Sequence, residues 1–69
     1  MTAPTATRRL VALDLMETAA RLCVRGGPDA ARWCRACWRQ LAALESGCCC
    51  LADASDLVAS ARQWLEAAA

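Results

Sequence analysis

The sequence predicts an all-α fold, a small bundle of two or three helices, and three observations lead there. Ala, Leu, Arg, Glu and Gln, the strongest helix formers, make up more than half of the 69 residues. Ile, Phe and Tyr are absent, so the β-branched and aromatic residues that fill sheets are scarce. From Leu10 onward apolar residues recur every three or four positions, the period of a helix that buries one side.

Residues 1–4 read as a tail, and the first helix as about 6–25. Leu10, Leu13, Met16, Ala20 and Cys23 form one apolar stripe, and Val11, Leu15 and Leu22 form a second. Asp14, Glu17, Thr18, Arg21 and Arg25 gather on a narrow polar face. Glu17 and Arg21 stand at i, i+4 in the favourable order, and Arg21 and Arg25 suit the negative end of the helix dipole. A helix apolar on two faces needs cover on both. A single neighbouring helix in so short a chain would hardly provide it.

Gly26-Gly27-Pro28 is the clearest break: glycine supplies a left-handed cap and proline starts the next helix at its first position. The second helix is expected over about 28–46, with Asp29 at its positive end. Its stripe is Cys34, Cys37, Leu41, Leu44, Cys48 and Leu51, continuing at the same spacing through Ser55, Val58, Arg62 and Leu65. That continuity admits a helical hairpin with one long second helix, because a glycine inside a helix costs only about 1 kcal/mol against alanine. The cap-type residues Asp53, Ser55 and Asp56 favour the other architecture, in which Gly47 ends the second helix and a third spans about 53–68.

A chain of this length makes one domain and buries only about 60% of its unfolded surface. Disulfides, a metal or oligomerisation usually supply the rest. Residues 1–40 carry seven Arg against three acids, a balance of +4, and residues 41–69 one Arg against four acids, a balance of −3. A uniformly basic nucleic-acid binder does not look like this. A faint echo of a helix-turn-helix at Ala43 to Gly47 fails at Asp53, and Asp53, Asp56 and Glu66 against Arg62 repel phosphate. Thr7-Arg8-Arg9 faintly suggests a twin-arginine start, but Asp14 and Glu17 interrupt the apolar run, and nothing approaches a membrane span of about 20 apolar residues. The expected location is therefore the cytoplasm, where the six thiols stay reduced. No His, Tyr or Lys is available for acid–base work, the carboxylates are scattered, and no thiolate has an evident base, so no enzyme is expected.

The cysteines are Cys23, Cys34, Cys37 and the run Cys48 to Cys50. Trp33-Cys34-Arg35-Ala36-Cys37 resembles the W-C-x-x-C redox motif of the thioredoxin family over those five residues. That chemistry needs a thiolate at a helix N-terminus after a strand, whereas here the cysteines fall about two turns into a helix. Zinc-binding anti-sigma factors carry H-x-x-x-C-x-x-C, and Ala30 stands where the histidine belongs. Copper(I) is soft, accepts two or three thiolates and needs no histidine. Cys34, Cys37 and Cys48 on one stripe, with Cys23 on the facing helix, resemble the inward thiols of bacterial copper storage proteins, without their C-x-x-x-C pairs. Cu(I), or less readily Zn, is thus the alternative to a chain without cofactor whose thiols pack as small hydrophobes.

The remaining signal is a surface. Trp33 and Trp38 flank the cysteine stripe beside Arg32, Arg35 and Arg39, and Leu57 and Trp64 align on another face of the C-terminal segment. Tryptophan and arginine are enriched among binding hot spots. These residues point to a non-catalytic adaptor, inhibitor or accessory subunit that binds a protein partner or forms a homodimer.

Overall fold

A computed structural model describes residues 5–47 and 50–67 of the chain. It holds three helices and, among the described residues, no strand: α1 is Thr5–Arg25, α2 is Pro28–Glu45 and α3 is Leu51–Ala67. The break at Gly47 is therefore real and the long-helix hairpin is not formed. Gly47 takes φ +79 and its N–H donates to the Leu44 carbonyl at 3.2 Å, while Ser46 N–H donates to Ala42 at 3.1 Å. These bonds satisfy carbonyls that a helix end leaves open. α3 starts two residues earlier than the cap-type residues suggest. The Cys50 carbonyl accepts from Ala54 N–H at 3.2 Å, and Asp53 lies in the first turn, where an acid suits the dipole.

The helices run up, down and up. Only Gly26 and Gly27 separate α1 from α2, and the Gly26 N–H donates to the Leu22 carbonyl at 3.0 Å. At the far end of this hairpin Arg8 Nη2 donates to the Leu44 carbonyl at 2.9 Å, so a guanidinium from the start of α1 caps the end of α2. A cation there also meets the negative end of the α2 dipole. α3 packs across both, and Arg62 Nη2 donates to Asp14 Oδ1 at 3.3 Å to tie it to α1. The pair is half-exposed, so its worth is about 0.2–1 kcal/mol.

The core is one cluster. α1 contributes Val11, Leu15, Ala19 and Leu22; α2 contributes Ala30, Cys37, Leu41 and Leu44; α3 contributes Ala54, Val58, Ala61 and Leu65. Of the two apolar stripes on α1, the one containing Leu15 and Leu22 faces inward. Thr18 goes with it, fully buried, although its chemistry places it on the polar face. Its Oγ1 has no hydrogen-bond partner among the described residues. A buried hydroxyl left unpaired costs about 1–3 kcal/mol. Thr18→Val keeps the β-branched shape and removes that cost, so it is expected to stabilise the chain by about 1 kcal/mol in urea unfolding. A loss of stability would show that the hydroxyl is used.

Candidate interaction surface

The second apolar stripe of α1 is left outside. At about 100° per residue, Leu10, Leu13, Ala20 and Val24 fall on the arc opposite Leu15 and Leu22, with Met16 beside them. Leu10 is 64% exposed, Leu13 59%, Met16 46% and Val24 89%. Leu13 stands at the middle of this arc, flanked by Arg9 and Glu17, both exposed. Near its C-terminal end the stripe runs into an open groove of about 430 Å³ between α1 and α3, lined by Ala20, Arg21, Val24, Arg25 and Leu65. The stripe is visible in the sequence, and the packing of α2 and α3 decides which of the two α1 faces stays uncovered.

The tryptophan surface is smaller than expected. Trp33, Leu57 and Trp64 are half-buried against the core, so much of each indole or side chain closes the bundle. Trp38 is 50% exposed, beside the exposed Arg35 and Arg39 on the outer side of α2. Arg32 is exposed as well, about 120° around the helix from Trp38. Trp38 and its arginines therefore form a second, narrower patch, separate from the α1 stripe.

Among the described residues the thiols do not converge as a single inward seam. Cys37 is fully buried in the core, and Cys34 is half-buried with its Sγ donating to the Ala19 carbonyl at 3.7 Å. Cys23 is exposed, a correction to its expected inward position: turning Leu22 to the core carries the next side chain about 100° away from it. Cys23 and Cys34 do line a common cavity of about 300 Å³ at the glycine link, with Arg35 at its edge. Cys48 lies outside the described residues. Among the described residues no three Cys, Asp or Glu side chains come together in a way that would hold a metal ion, and Cys23, Cys34 and Cys37 are not joined in disulfides.

The redox motif is likewise placed where its chemistry is weak. Cys34 lies about two turns into α2, away from the helix N-terminus that would stabilise a thiolate. Burial pushes the Cys37 thiol above its ordinary range, and the neighbouring Cys34 raises it further. Cys37 thus stays protonated near neutral pH and behaves as a small core residue.

No helix among the described residues is long and apolar enough to cross a membrane. Comparison of the chain with protein-family models, with curated proteins and with solved structures gives no match.

Proposed function

We propose that this chain is a non-catalytic interaction protein, an adaptor, inhibitor or accessory subunit, that works by covering the outer face of α1 with another protein surface. One observation carries the reading: Leu10, Leu13, Met16 and Val24 stand in line on the solvent side of a helix whose opposite side already fills the core. Scattered single leucines on a surface are ordinary, whereas a contiguous apolar stripe usually marks an interface. The Trp38 patch, with Arg35 and Arg39, adds residue types common at binding hot spots and offers a second contact on α2.

The test is site-specific photocrosslinking of the full chain in cells. A photoactivatable side chain at Leu13 is expected to give discrete protein adducts. The same group at Ser60, an exposed polar position on α3, is expected to give few. Equal, weak labelling from both positions would remove the reading.

A further inference from the structure

We infer that the surface covering α1 is the α1 of a second copy, laid antiparallel about a twofold axis beside Leu13. The inference rests on the interaction reading above and adds the occupant and its register.

The charges inside the stripe favour this arrangement. Glu17 lies on the exposed arc between Leu13 and Ala20, so any helix pairing along the arc must accommodate it. A parallel pair brings Glu17 against Glu17 of the other copy, and like charges at close range are unfavourable. An antiparallel pair centred on Glu17 does the same at the twofold axis. With the axis beside Leu13, residue 13−k of one helix stands level with residue 13+k of the other. Arg9 then comes level with Glu17 of the second copy, and Leu10 level with its Met16.

The contact is isologous, so each pairing forms twice and the dimer closes on itself. Arg9 and Glu17 are both exposed, flanking Leu13 at four residues on either side, and Leu13 marks the middle of the apolar arc. Leu10 and Met16 thus lie symmetrically about Leu13 as Arg9 and Glu17 do, while Ala20 and Val24 fall beyond this pairing and stay uncovered by it.

The interface is small. α1 is 21 residues long, about 30 Å, and one face of it offers less than the roughly 800 Å² per partner of a standard complex. The dimer is accordingly weak and forms only at high protein concentration.

The experiment is analytical ultracentrifugation of the full chain across micromolar to millimolar concentrations, with the thiols held reduced so that mixed disulfides do not mimic association. The wild type is expected to pass from one copy to two. Glu17→Arg places like charges at both symmetry-related positions and should weaken the dimer at least tenfold, as should Arg9→Glu. The double exchange Arg9→Glu/Glu17→Arg restores opposite charges and should return the affinity to within about threefold of wild type. Leu13→Asp should abolish association while far-UV circular dichroism still reports a folded helical chain, because Leu13 takes no part in the core.

Failure of the double exchange to rescue would overturn the register, and a single copy at all concentrations would overturn the pairing. The crosslink at Leu13 separates this from the broader reading. Adducts of twice the chain mass support the second copy. Adducts only to other proteins overturn the pairing and keep the interaction role, and absence of both kinds overturns the two together.

Discussion

Leu22→Ala is expected to destabilise the chain by about 2–5 kcal/mol, the range for emptying a large buried aliphatic site. Leu22 is fully buried and shares the core with Leu15, Cys37 and Ala61, each of them also sealed from solvent. A chain of this length holds on the order of 3–10 kcal/mol in total, at about 0.05–0.15 kcal/mol per residue. The loss is thus about a fifth of the stability or more, and wherever it exceeds the total the native state is no longer the majority. The control lies two positions further along the same helix: Val24 is almost fully exposed, and Val24→Ala should move stability by no more than about 0.5 kcal/mol. Urea unfolding followed by circular dichroism reads both. Comparable losses from the two variants would mean that α1 is docked through the wrong face.

The second large effect comes from the backbone. Gly27 sits at φ 101, ψ 164, a region that only glycine occupies with ease. A Cβ built there would meet nothing within 4 Å, so Gly27→Ala tests conformational strain with no steric clash to confuse it. The expected cost is about 1–3 kcal/mol. For a domain of this size each kcal/mol lowers Tm by about 4–8 °C, and a melting curve resolves the change readily. Gly26, at φ 70, occupies the ordinary left-handed region, where asparagine is also found. Gly26→Asn should therefore cost clearly less than Gly27→Ala. Equal costs would show that the link relaxes and that the Gly27 conformation is not required.

Much of the architecture was legible because glycine and proline punctuate the chain. Gly26, Gly27 and Pro28 fix the end of α1 and the start of α2, and Gly47 fixes the end of α2, each through backbone geometry that needs no knowledge of tertiary contacts. The α2 core stripe of Cys37, Leu41 and Leu44 was legible too, because α2 has a single apolar side. α1 has two, and periodicity weighs them alike. Thr18 shows why the choice was hidden: its hydroxyl reads as polar, while its shape is that of valine, and packing followed the shape. Once Leu22 and Thr18 turn inward, Cys23 must turn outward, so the expected four-thiol seam loses a member for a geometric reason. Arg62 lies on the apolar spacing of α3 and yet reaches Asp14, 48 positions away, a pairing that local pattern does not reveal. Arg8 is hidden in the same way, 36 positions from the carbonyl it caps. The candidate surface was legible as residues, with Leu10, Leu13 and Met16 aligned in the sequence, and illegible as a location.

The bond from Arg8 to Leu44 also bears on how the molecule is expected to come apart. It clasps the open mouth of the α1–α2 hairpin, and the two-residue glycine link closes the other end, so that pair is fastened top and bottom. α3 is held across its middle by the half-exposed Arg62–Asp14 contact and by its share of the core. Amide exchange is therefore expected to be fastest in α3 and slowest in the doubly fastened hairpin, and equal protection of all three helices would show that the bundle opens as one unit.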